Sequence, residues 1–320
     1  MSEVERAIDG SVRYLGSTLA IEALRESPYW PKWDQPWWHM LLLHEMGETA
    51  RIPPVIVRAF VEALNATPVQ IFPIWPGEAP EGADPYRDWA CHCQLGNVYR
   101  VLDASGVDMD AELPWVGTWF LQYQMADGGL NCDEAAYRIE NECPSSMVGT
   151  IAAFEALTLH TRRPWNAAEQ KFLDAAAHFM IERRLVLGSP TTHNAAERIA
   201  AQDWGLLCFP RFYQYDVLRG LTALVNWAER SGWGVPREVV APILADLERR
   251  FPDGVVQTER YSCDEHGTIT RLADGIWDHT RRPSSSFPLL DLVRTRNMVS
   301  PYLSLEFAQT KQRLQNLMRL

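Results

Sequence analysis

The chain gathers its reactive side chains into short groups. Cys91, His92 and Cys93 are consecutive, Cys132 precedes Asp133 and Glu134 with Cys143 further along the same stretch, and Cys263-Asp264-Glu265-His266-Gly267 forms a third group. Thiolate and imidazole are zinc ligands, so Cys91, His92 and Cys93 with Cys143, Cys132 or a remote histidine would supply a zinc site of three or four ligands. Two features oppose a closed structural zinc. No C-x-x-C pair is present, and neighbours on a helix point about 100° apart, which keeps residues 91, 92 and 93 from all reaching one ion. Asp133 and Asp216 would act on a sugar as a carboxylate pair, held among aromatic platforms. The segment VDMDAE at 107–112 lacks the last aspartate of a D-x-D-D acid, and Asp110 reads as the N-cap of the following helix. There is no G-x-S-x-G, no Walker loop, no dinucleotide fingerprint and no D-D-x-x-D.

Composition narrows the setting. The chain has 320 residues, is 47% hydrophobic and 22% charged, and so buries a large core. Its formal net charge of −11 excludes the basic face of a nucleic-acid or anionic-membrane binder. No apolar run approaches the roughly 18 residues of a membrane span, and the opening MSEVERAIDG is not patterned as a signal peptide. A soluble, cytoplasmic protein is expected, with its six cysteines kept reduced. Thirteen tryptophans are a high load, suited to stiffening a core or lining a pocket for apolar or cationic groups.

The elements that must position these groups are helical nearly throughout. Apolar periodicity and punctuation by proline and glycine predict helices over 3–26, 37–47, 53–65, 91–105, 112–124, 145–158, 165–186, 211–231, 236–250, 285–297 and 302–318. The exception is 255–277, whose alternation around DEHG predicts a β-hairpin. Two helix types alternate. CQLGNVYRVL, SSMVGTIAAFEAL and YDVLRGLTALVNW are small and apolar, whereas AELPWVGTWFLQYQ, AAEQKFLDAAAHFMIERR and REVVAPILADLERR are amphipathic. Each amphipathic segment runs into a similar tail, with Gly128, Gly188 and Gly254 recurring. Apolar helices belong inside and amphipathic ones outside. The alternation therefore predicts one all-α domain over 1–320, an α/α toroid of about five to six helical hairpins.

The tail FLQYQMADGGLNCDE resembles the Q-x-x-D-G-G repeat of the prenyltransferase and squalene-cyclase superfamily, whose members are α/α toroids around an aromatic cavity. Leu130 stands where the squalene-cyclase pattern has a tryptophan after the glycines, and Asn131 comes next. In such tails glutamine would cap the last carbonyls of the outer helix while the glycines turn the chain inward. Toroids of this kind host several chemistries, and the prenyltransferase subunits and lanthionine cyclases among them use zinc to activate a thiolate. The segment CDEAAYRIENEC is similar to that of the linalool dehydratase-isomerase group, in which two cysteines and acidic residues surround an isoprenoid alcohol. That resemblance implies acid–base catalysis, with Cys132 and Cys143 as the acid and base and Asp133, His92, Tyr215 and Asp34 as auxiliaries.

In a toroid the inner helices start at a common rim. The order of helices places Trp37, Trp38, His39, Cys91, His92, Cys93, Asp133, Cys143, Ser146, Phe209, Tyr213, Tyr215 and Asp216 near it. Of these, Trp37, Trp38, Cys91, Cys93, Ser146, Phe209 and Tyr213 are taken as substrate-binding, and Asp216 and His39 join the catalytic set. Each has a plainer reading. His39 and His44 would be packed histidines, Cys91, Cys93 and Cys208 small core residues, and Asp216–Arg219 an ordinary helical ion pair. The leading expectation is a lyase, isomerase or cyclase acting on a hydrophobic, isoprenoid-like molecule without an organic cofactor. Its alternatives are a zinc-dependent transferase, cyclase or hydrolase at Cys91, His92, Cys93 and Cys143, a carbohydrate enzyme, and a non-catalytic scaffold. No nucleic-acid partner is expected, and a homo-oligomer stays open.

Overall fold

The computed structural model describes residues 1–33, 35–66, 91–160, 162–262, 268–272 and 277–317. The protein is mostly helical, 61%, with almost no strand, which makes it an all-α fold. The helices are α1 (Glu3–Leu15), α2 (Thr18–Glu26), α3 (Pro36–Glu45), α4 (Pro54–Ala66), α5 (His92–Ala104), α6 (Met109–Glu112) and α7 (Pro114–Gln122). They continue with α8 (Met147–Leu159), α9 (Ala167–Glu182), α10 (Ala196–Ala200), α11 (Val217–Ser231), α12 (Arg237–Arg250), α13 (Pro288–Val293) and α14 (Pro301–Leu317).

Local chemistry explains where these helices begin and end. The single helix expected over 3–26 is two, because Ser17 accepts from the Ala20 N–H at 3.2 Å and caps a new start directly after Gly16. Asp108, not Asp110, caps α6, accepting from the Ala111 N–H at 3.1 Å. Asp110 instead pairs with Arg163. α9 starts with a full capping box between Asn166 and Glu169. The hairpin expected over 255–277 is not found among the described residues. Instead β1 (Thr268–Arg271) and β2 (Trp277–Arg282) pair antiparallel, so the expected turn at DEHG lies before the first strand and outside the described residues.

The apolar helices form a contiguous inner row. α3 packs on α5, α5 on α8, α8 on α11 and α11 on α14, while α1, α2, α4, α7 and α9 lie against members of that row or each other. In α3 every residue from Pro36 to Leu43 is buried, and in α8 every residue from Met147 to Thr158 except Val148. The closest approach is α5 on α8. A Cβ on Gly96 would lie 2.2 Å from the Ala152 carbonyl carbon, so only glycine permits this contact.

The QMADGG tail locks one hairpin to the next. Gln124 donates to the Gly128 and Phe172 carbonyls, each at 2.8 Å, and so ties the turn to α9 rather than capping α7. Gly128 has φ +92° and sits against the Ala175 carbonyl, where a side chain has no room. The corresponding tail after α9 makes its turn differently, with Arg184 and Leu185 carrying positive φ.

Candidate functional site

The site is built where α5 begins. Cys91 is the extended N-cap residue of α5, with Cys93 on the first turn. Cys132 arrives from the loop after the double glycine, and its placement depends on Asn131. The Asn131 side chain donates to the Pro144 carbonyl and accepts from the Asp133 N–H at 2.9 Å. Its main-chain N–H donates to the Tyr137 hydroxyl at 3.0 Å, and its carbonyl accepts from His92 Nδ1 at 2.7 Å. The Leu130 carbonyl accepts from the Ser146 N–H at 2.8 Å, pinning the same loop to the start of α8. The Sγ atoms of Cys91, Cys93 and Cys132 thereby lie within 4.8 Å of one another. Cys91 and Cys93 are 3.0 Å apart, and the Cys93 N–H points to Cys132 Sγ at 3.4 Å. Cys93 is buried, while Cys91 and Cys132 keep partial solvent access.

One thiol of the three is set to carry charge. Hydrogen bonds from Cys132 and Cys93, with a further one from the Gln94 N–H, hold Cys91 well below the usual thiol range. The hydrogen bond to Cys91 pushes Cys132 well up, with Cys93 and burial adding to it. Cys93 is drawn down by Cys132, yet its bond to Cys91 and its burial leave it raised. Of the three, Cys91 is the one whose thiolate the arrangement favours.

Aromatic rings wall the trio. Trp33 stacks on Phe212 at 5.5 Å and meets Trp38 edge-on at 4.5 Å. Tyr29, Trp37, Trp38, Leu41, Cys93 and Tyr213 line a chamber of about 10 Å³, room for roughly one water. Lys32 Nζ lies 4.8 Å from the Tyr213 ring centre and 5.5 Å from that of Tyr29. Burial pushes the Tyr29 phenol well up, with Tyr213 and then the neighbouring cysteines adding to it, so it stands as a donor near them.

The structure brings some expected residues to this place and leaves others elsewhere. Cys91, His92, Cys93, Cys132, Trp37, Trp38 and Tyr213 gather here. Cys143 does not join the thiols. It sits by Asp127 and Ser145, with burial pushing its thiol up. Asp133 lies at the surface, hydrogen-bonded to His193 Nε2 at 2.8 Å. Ser146 caps α8 and donates to Glu197 at 2.7 Å. Tyr215 donates to the Leu185 carbonyl at 2.9 Å. His39 meets Ser11 at 3.1 Å and stacks on Phe287 at 3.6 Å, a packed histidine that burial lowers to about 3. Asp216 is wholly buried, caps α11 and receives Arg211 Nε at 2.7 Å, so the expected ion pair with Arg219 is replaced by one with Arg211. Asp133 and Asp216 thus share no partner as a carboxylate pair. Asp34 and the group at 263–267 lie outside the described residues.

A second cavity, of about 290 Å³, opens further along the same helices between α3, α5, α8, α11 and α14. Phe209 lines it, stacked on Tyr302 at 4.6 Å. Its walls carry Glu45, Arg100, Glu155, Arg211, Arg219 and Glu306. Glu155 receives Arg100 at 2.8 Å and Arg219 at 2.6 Å, and the arginines hold its carboxyl down against burial. Asn97 stands between cavity and thiols. Its amide donates to the Cys93 carbonyl at 3.0 Å and the Phe212 carbonyl at 3.1 Å, and its oxygen accepts from Arg100 and Arg219.

Sequence reasoning missed Tyr29, Lys32 and this charged layer. The layer had a signal: Glu155 is the one charged residue in an otherwise apolar helix, and such a group needs buried cations around it. Tyr29 and Lys32 sit in the aperiodic stretch SPYWPKWDQPWW, which predicts no facing. No protein-family model, curated protein or solved structure matches the chain.

Proposed function

We propose that the inner row of helices closes as an α/α toroid and that the protein is a lyase or isomerase acting on hydrophobic, isoprenoid-like alcohols. The observation that carries this reading is the convergence of three thiols at the start of a buried helix, against an aromatic wall. The alternation of apolar and amphipathic helices supports the toroid. In this reading Cys132 gives its proton to the leaving hydroxyl as the C–O bond breaks, and water departs. Cys91 takes a proton from the adjacent carbon, whose electron pair becomes the new double bond. Because the two sulfurs are neighbours, the proton then returns from Cys91 to Cys132 and the site is reset. A positioned donor or base of this kind contributes roughly 10²–10⁴-fold. Lys32 in the wall disfavours a free carbocation, so proton gain and loss are coupled in one step. Partial exposure of Cys91 and Cys132 leaves them reachable from outside the small chamber. Reduced thiols require a reducing compartment, in keeping with a cytoplasmic enzyme.

The test is turnover of tertiary and allylic terpenoid alcohols by the purified chain. Cys91→Ala and Cys132→Ala each abolish it with little change in melting temperature, and Cys143→Ala retains it. Full activity in Cys91→Ala or Cys132→Ala would remove the scheme.

A further inference from the structure

We infer that Cys91, Cys93 and Cys132 form a binding site for one soft divalent metal ion, with zinc as its representative. The inference rests on the same trio as the proposed reaction and adds an occupant that competes with it. A zinc–sulfur bond of about 2.3 Å places two sulfurs of one tetrahedral ion roughly 3.8 Å apart. The three sulfurs already lie within 4.8 Å of each other, so small side-chain shifts bring all of them onto one ion. Of the ligands the sequence left open, the set keeps Cys132 and drops His92 and Cys143. His92 is tied through Nδ1 to the Asn131 carbonyl at 2.7 Å, and Cys143 sits by Asp127, which leaves Cys132 as the third sulfur.

Charge favours occupancy. Three thiolates and a divalent ion sum to one negative charge. Lys32, whose ammonium stands 4.8 Å from the Tyr213 ring centre, and the Cys93 N–H, which points to Cys132 Sγ at 3.4 Å at the start of α5, oppose it. Three sulfur donors without a carboxylate select a soft ion over magnesium or calcium. Three protein ligands leave a fourth position for water or an added molecule, the pattern of an exchangeable rather than a closed site. Ligation needs all three sulfurs deprotonated. The ion therefore displaces the protons that the elimination uses, and metal loading inhibits turnover.

The experiment uses the full chain, reduced and stripped with chelator, titrated with Co²⁺ and then Zn²⁺. One Co²⁺ per chain is expected, with sulfur-to-metal charge-transfer absorption in the near ultraviolet that Zn²⁺ abolishes by displacement. Cys91→Ser and Cys132→Ser weaken Zn²⁺ binding by more than the roughly 10–100-fold that loss of an outer-shell partner costs, whereas Cys143→Ser leaves it unchanged. Circular dichroism establishes that each variant is folded. Should one fail to fold, the strength of the wild-type charge-transfer band still reports how many sulfurs bind. Absence of that band, or binding that survives Cys91→Ser, overturns the site. Turnover by the stripped protein is scored separately. Activity without metal upholds the elimination whether or not cobalt binds, and cobalt binding in a protein inactive on every alcohol upholds the site and removes the elimination.

Discussion

Replacing Gly96 by alanine tests the packing that holds α5, and with it two of the three thiols, against α8. Two effects oppose each other. Alanine is the better helix former, worth about 1 kcal/mol over glycine inside a helix. Against this, the new Cβ would sit 2.2 Å from the Ala152 carbonyl carbon and 2.4 Å from the Ala153 nitrogen, and both are backbone atoms that cannot swing aside. Restoring ordinary contact of 3.4 Å or more requires the helices to part by over an ångström along a face with every neighbour buried. Overpacking of this kind costs about 1–3 kcal/mol, at the upper end where backbone must move. The clash wins, with a net loss of about 1–2 kcal/mol, or roughly 1.5–3 °C in melting temperature at an unfolding entropy of about 2.1 cal/mol/K per residue. Gly117→Ala in α7 is the matched control, since its Cβ meets only the edge of Tyr99 at 3.9 Å and keeps the propensity gain. Urea melts of both variants, with the rate of thiol alkylation at Cys91 and Cys132, measure the two arms. A Gly96→Ala protein as stable as wild type would refute the close approach of α5 and α8.

Two further outcomes follow from buried charge. Glu155→Gln leaves Arg100 and Arg219 facing each other without their shared anion, and loss of one partner from a buried ion pair costs about 3–5 kcal/mol; a loss below 1 kcal/mol in denaturant melts would show that the layer is solvated. Burial lowers His39 to about 3 from an ordinary 6.5, so its contribution is fully present above pH 6.5 and drains away as pH falls toward 3. At pH 5 the unfolded chain holds the proton and the folded chain does not, a loss of about 2 kcal/mol at 1.36 kcal/mol per pH unit. Stability measured from pH 7 to pH 4 should fall more steeply in wild type than in His39→Gln, and equal slopes would place the acid sensitivity elsewhere.

Helix periodicity made the α fold readable because α3, α5, α8 and α11 are long and buried on nearly every face, and α9 is long and amphipathic. It failed where elements are short or boundaries rest on one hydrogen bond. α6 and α10 have only four and five residues, too few for a period to register. The division between α1 and α2 depends on a single serine hydroxyl. The strand pair moved because alternation over 255–277 does not say which residues meet, and the partner strand lies further along the chain.

The site divides in the same way between what is local and what is not. Residue type and position at a helix start made Cys91 and Cys93 readable, since both follow from where α5 begins. Which remote sulfur meets them is a different kind of fact. Cys132 and Cys143 bracket the same loop, and either is far enough along the chain to reach. The choice is made by Asn131, whose amide and main chain are engaged by Pro144, Tyr137, Asp133 and His92. With those bonds in place the loop can turn only one of its cysteines toward α5. The choice of thiol thus turns on the bonds of one side chain and its own main chain. Removing that side chain is informative for that reason: in Asn131→Ala the Cys132 thiol should become as alkylatable as Cys143 while α5 and its two cysteines stay put.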